Sequence, residues 1–327
     1  MRRMLCALIA ALGFMPAAFG QEALTLVRTI ELPRVEGRID HLAIDAANQR
    51  LFVAALGNNS VEVVDLRLGA HARSLPGFHE PQGVALVPES KAVAVANGES
   101  GDLVMLDSTD FHPTKTTPLG EDADNVRYDA ATKRLYVGYG SGALAVVDAM
   151  DGRRLGQVKL AGHPESFQLE TSGPRIFVNV PDASQIAVVD RNALRVLATW
   201  PVVGAAANFP MALDEAGQRL FIGCRRPAKV LVFDTVSGKQ AGSFDIVGDT
   251  DDIFYDATRK RLFVTGGDGF ADVVQEVDAG HFSRVVHLPT AAGARTSLFV
   301  PMQNRLYVAV PHRGNQRSEI RIYESRS

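Results

Sequence analysis

Residues 49–65, QRLFVAALGNNSVEVVD, hold the unit from which the chain is built, because versions of it return six more times. The opening tetrapeptide of the unit recurs as Arg50-Leu51-Phe52-Val53, Lys91-Ala92-Val93-Ala94, Arg134-Leu135-Tyr136-Val137, Arg175-Ile176-Phe177-Val178, Arg219-Leu220-Phe221-Ile222, Arg261-Leu262-Phe263-Val264 and Arg305-Leu306-Tyr307-Val308. Their first residues stand 41, 43, 41, 44, 42 and 44 apart. Short β-branched and aromatic runs separated by turn residues, at a period in the low forties, are what a four-stranded propeller blade requires. The expected fold is all-β, a seven-bladed β-propeller. In the first unit the strands read as 42–45, 51–56, 61–66 and a more polar 72–75. After Arg305 only two strands fit before Ser327, whereas residues 24–32, LTLVRTIEL, read as a strand without a blade. That early strand is expected to become the outer strand of the seventh blade, closing the ring and covering an exposed edge.

Residues 1–20 read as a secretory leader, with Arg2 and Arg3, an apolar run over 5–15 and the small-x-small site Ala18-Phe19-Gly20. Residues 21–327 then form a single propeller domain, and the expected location is periplasmic or secreted. Without the leader Cys224 is the only cysteine. This excludes an intrachain disulfide, covalent haem through Cys-x-x-Cys-His and an iron–sulfur cluster. A formal charge of −3 argues against nucleic acid as partner. No later apolar run is long enough for a transmembrane anchor, and the chain is expected to be a monomer.

RLYVGYG followed by LAVVDAMDG resembles the repeat of the YVTN family of β-propellers, a largely secreted or periplasmic bacterial group that includes YncE-like proteins. The resemblance covers essentially the whole chain after the leader. It implies the fold, and it carries no catalytic assignment.

The third strand of each unit ends in an acidic residue, at Asp65, Asp107, Asp148, Asp190, Asp234, Asp278 and Glu324. These are read as turn caps, because they repeat in every unit whereas a functional site needs asymmetry. Asymmetry is found at the heads of the inner strands, aligned as Asp40-His41, Pro81-Gln82, Asp124-Asn125, Pro164-Glu165, Pro210-Met211, Asp251-Asp252 and Arg295-Thr296. These heads converge on one axial funnel together with His163, Asn208 and Asp249. Convergent polar groups in a concavity are the default site hypothesis. His41, His163 and Glu165 are the candidate proton-transfer groups. Arg295, Asn125, Gln82, Asn208 and Arg225 are the candidate ligand-binding groups, and Asp251, Asp252 and Asp124 the candidate ligands of a divalent cation, Ca²⁺, Mg²⁺ or Mn²⁺. His71, His112, His281 and His287 are expected as surface imidazoles on outer strands.

Two functions compete on these residues. One is binding of a small anionic molecule, with lactonase-like or lyase-like chemistry. The other is a non-catalytic binding or scaffold role, presenting the loop face to an envelope protein. Redox use with a quinone or haem is the weakest, since Trp200 is the only tryptophan and no haem motif exists.

Overall fold

The computed structural model describes residues 23–278 and 280–326. The expected leader, residues 1–20, lies outside the described residues. Seven four-stranded antiparallel sheets form the chain. The first blade is Leu42–Asp45, Arg50–Ala55, Ser60–Asp65 and Ala70–Pro76, each within two residues of the sequence reading. Leu24–Glu31 pairs antiparallel with Glu319–Ser325 and completes the seventh blade, as expected. The Arg326 N–H donates to the Ala23 carbonyl at 3.1 Å, so the two ends of the described chain meet.

The repeated Arg-x-aromatic has a physical reason. Arg50 pairs with Asp45, the last residue of the preceding strand, at 2.6 Å, and its guanidinium lies over Phe52 and Phe111. Arg175 repeats this with Glu170 and Phe177, and Arg219 with Asp214 and Phe221. An arginine that is both ion-paired and stacked pins the turn between first and second strands. The turns between third and fourth strands, at the same end of each blade, are held by the strand-end acids, where Asp65, Asp107, Asp148, Asp190 and Asp234 each accept turn backbone N–H groups. Apolar burial is distributed around the ring rather than gathered in one core. Seven clusters of buried side chains each join two neighbouring blades, so each seam depends on both of its blades.

The strand pairing corrects the register of three sequence alignments. In the second blade Lys91 has φ +49°, the left-handed turn position that Gln49 (+53°) and Lys133 (+53°) hold elsewhere. The counterpart of Arg50 is therefore Ala92, not Lys91. Leu42, Val84, Val126, Phe167, Met211, Ile253 and Ser297 occupy one level, opposite Val53, Val95, Val137, Val178, Ile222, Val264 and Val308. Two residues earlier stand Asp40, Gln82, Asp124, Glu165, Phe209, Asp251 and Arg295. The sequence alignment was one residue out in the second, fourth and fifth blades. Irregular pairing at Pro81/Val84 and Asn208/Met211 hides the true register in two of these three.

Candidate functional site

Equivalent backbone geometry delivers the charged groups to the axis. The Asp40 N–H donates to Ala54, Asp124 to Gly138 and Glu165 to Asn179, at 2.7, 2.9 and 3.0 Å. These residues therefore project from the same level of blades one, three and four. Gly83 makes room for one of them, because a Cβ there would lie 2.2 Å from the Asp124 carbonyl oxygen. The links between blades lie on the same face as the loops between second and third strands, as His163 donating to the Gly140 carbonyl and the Gly57 N–H donating to the Arg38 carbonyl both show.

Asp124, His163 and Glu165 each bring one potential ligand atom to within 4.8 Å of the others. The His163 Nδ1–H faces the Gly140 carbonyl at 2.7 Å, which leaves Nε2 on the side of Asp124, 3.8 Å away. A carbonyl on one ring nitrogen is the usual way to fix the other as a ligand. Burial alone would lower the His163 imidazole, but Asp124, the Gly140 carbonyl and Asp122 outweigh it and push it up to about 9. Burial, with the charges of Asp124 and Asp251, pushes Glu165 up to about 8. A cation among these three groups would replace the protons that the cluster otherwise retains.

Guanidinium groups line the other side. Arg225 pairs with Asp251, donates to the Thr250 carbonyl at 2.8 Å and lies 3.8 Å above the Phe209 ring. Arg295 reaches Asp249 at 3.1 Å, and Arg38 reaches Asp40 at 2.7 Å. Burial raises Asp251 to about 6 against the pull of Arg225. His41 Nδ1 lies 2.9 Å from Asp40 Oδ1 without hydrogen-bond alignment, and both atoms are buried. Burial opposes a charge on His41, but Asp40 overcomes it, and the imidazole is pushed up to about 10. This surrounding favours the protonated imidazole and suits His41 to proton donation.

The structure brings together His41, Asp124, Asn125, Glu165 and Asp251 around one enclosed void, with Arg38, Asp40, Ser166 and Phe209. His163, Arg225 and Arg295 do not line it but reach residues that do, His163 toward Asp124 and the two arginines toward Asp251. Three residues lie elsewhere. Asp252 accepts the Ser297 N–H at 2.7 Å and lines the channel on the far side of His41, so Asp124, Asp251 and Asp252 do not form one cation site. Asn208 is fully buried and donates to Asn179 and to the Gln185 carbonyl, a structural role. Gln82 stands at the right level but donates to Asp122 on the rim at 2.9 Å. Sequence reasoning missed Arg38 and Phe209, and counting back from the second-strand pairing would have found Phe209. Of the outer-strand histidines, His71 and His287 each pair at 2.6 Å with a fully buried carboxylate, Glu62 and Asp272, rather than standing free in solvent.

The enclosed void measures about 10 Å³. That is room for one water or one ion, not for an organic molecule.

No protein family matches the sequence and no curated protein does. Solved structures do match. A chain of the hydrazine synthase of Kuenenia stuttgartiensis superposes with TM-score 0.74 at 15% identity, over 88% of this chain and 97% of that one. A chain of a mitotic checkpoint complex superposes with TM-score 0.79 at 13% identity, over 100% of this chain and 99% of that one. The fold is a seven-bladed β-propeller. Two such different neighbours at this identity speak for the propeller fold alone and assign it no activity. No helix among the described residues is long and apolar enough to cross a membrane.

Proposed function

We propose that this is an extracytoplasmic propeller of the YVTN/YncE-like kind, binding a small anionic ligand at the loop-face end of its axis through a divalent cation. The convergence of Asp124, His163 and Glu165 ligand atoms within 4.8 Å carries this reading. Among Ca²⁺, Mg²⁺ and Mn²⁺, the last best tolerates an imidazole beside two carboxylates. The ion fits the single-water void, and the organic part of the ligand lies above it on the open face. When bound, the cation supplies Lewis acidity toward a carbonyl oxygen, as lactone or ester hydrolysis requires. The chain's own groups do the rest. Arg225 and Arg295 hold the anionic oxygens, Phe209 fixes the Arg225 plane, and His41 is the proton donor on the axis.

A partner-binding scaffold would carry an exposed apolar patch on the loop face. Among the described residues, the exposed large apolar side chains lie on outer strands, in opposite-face turns or, for Val277, at the opposite-face end of a third strand, and Val203 alone is on a loop-face link. The test is the metal content of untagged protein, with Mn²⁺ titrated into wild type, Asp124→Asn and Glu165→Gln. About one ion per chain, lost in both variants, is expected. Failure of wild type to bind Mn²⁺, Ca²⁺ or Mg²⁺ would remove the reading.

A further inference from the structure

Behind His41 the axial channel opens again toward the opposite face, as a separate cavity of about 320 Å³. Its size falls at the small end of ligand pockets, which begin at about 300 Å³. Its walls are inner-strand residues from six blades. At the level one residue past Leu42, the blades contribute alanine, glutamine, phenylalanine and leucine, and a single charge, Arg127. Arg127 donates one hydrogen bond, to its own neighbour's carbonyl at Val126, and its guanidinium lies over Phe167 at 5.7 Å. Among the described residues it has no ion pair, although it stands half-buried in the cavity wall. Burial accordingly lowers its affinity for its proton. Asp252 on the sixth blade is buried and also lines the cavity, with His41 at its inner end.

We propose that this cavity binds a monoanionic carboxylate with a short apolar tail, its carboxylate on Arg127 and its tail against Phe254 and Leu298. A guanidinium with unused N–H donors matches a carboxylate in shape and charge. The apolar walls favour a tail over a bare ion. The Asp252 carboxyl opposes a dianion such as phosphate. Burial raises it to about 7, so near neutrality it is partly protonated and offers a hydrogen to a second oxygen. This site is independent of the cation cluster, which lies on the other side of His41.

The probe is butyrate, titrated into the full protein in low-chloride buffer and followed by ligand-observed NMR, with butyramide and phosphate as controls. Saturable binding of one butyrate per chain is expected, at least ~10-fold weaker for either control. Arg127→Gln and Leu298→Trp should each weaken butyrate at least ~10-fold. The second variant blocks the cavity while leaving the charge in place, so one informative variant remains if the other does not fold. Arg225→Gln, on the loop face, should leave butyrate binding unchanged. The proposal is overturned if butyrate does not bind, if butyramide binds as well, or if affinity survives in the cavity variants and is lost in Arg225→Gln.

Discussion

Affinity for Mn²⁺ should climb steeply with pH, because the cation must displace protons from Glu165 and His163. Glu165 is raised to about 8 and His163 to about 9, so both are largely protonated at pH 7. Below pH 8 each proton released contributes a tenfold change per pH unit. The apparent association constant therefore rises roughly 100-fold from pH 6 to pH 7, about 2.7 kcal/mol at 1.36 kcal/mol per unit for each of two protons. From pH 7 to pH 8 the rise shrinks to roughly 50-fold as Glu165 approaches half ionisation, and above pH 9 the curve flattens. Isothermal titration of Mn²⁺ at pH 7, in two buffers of different ionisation enthalpy, should report about two protons released per ion. Glu165→Gln, which loses the ion, should show no titratable Mn²⁺ heat and no proton release at any of these pH values. A pH-independent constant, or no proton release in either buffer, would refute the assignment of these two side chains as the ligands.

Gly83→Ala should weaken the cation more than it destabilises the fold, because its Cβ meets the Asp124 backbone carbonyl oxygen at 2.2 Å and must shift the backbone that carries the Asp124 carboxylate; paired Mn²⁺ titration and thermal unfolding would show whether affinity falls first. Arg219→Met strips the cation from Asp214 and Glu276, both about 2.6 Å from it. A loss of about 2–3 kcal/mol in urea unfolding is expected, and an unchanged midpoint would show that the pair is fully compensated by water. Glu62 is buried, but His71, Ser60 and Ser74 outweigh that burial and hold its carboxyl below the usual range. Its contribution is complete above the ordinary glutamate value of about 4.3 and is lost as pH falls through the lower folded value. The difference in stability between wild type and Glu62→Gln should therefore narrow as pH falls from 5 to 3, as read from unfolding midpoints; a constant gap would contradict it.

Blade number, strand order and ring closure were legible in the chain itself. Alternating apolar residues, Arg-x-aromatic openings in six units and strand-end acids in all seven are local signals. The lone strand at residues 24–32 could pair only with the one blade left incomplete. The heads of the inner strands were legible as polar and convergent, and Glu165, His163 and Asp124 were named from that position, Arg225 from the loop between second and third strands of the fifth blade. What each of them touches was not legible. Asp251 and Asp252 are neighbours in sequence, yet one meets Arg225 and the other lines the cavity behind His41. Asn208 carries the same amide as Asn125 but spends it on Asn179. The single charge at the level of Arg127 becomes visible only when seven inner strands are set side by side. Local pattern determines a blade because its hydrogen bonds and apolar faces repeat within some forty residues. The axis is decided by side chains from different blades, whose partners, burial and protonation exist only once the ring has closed.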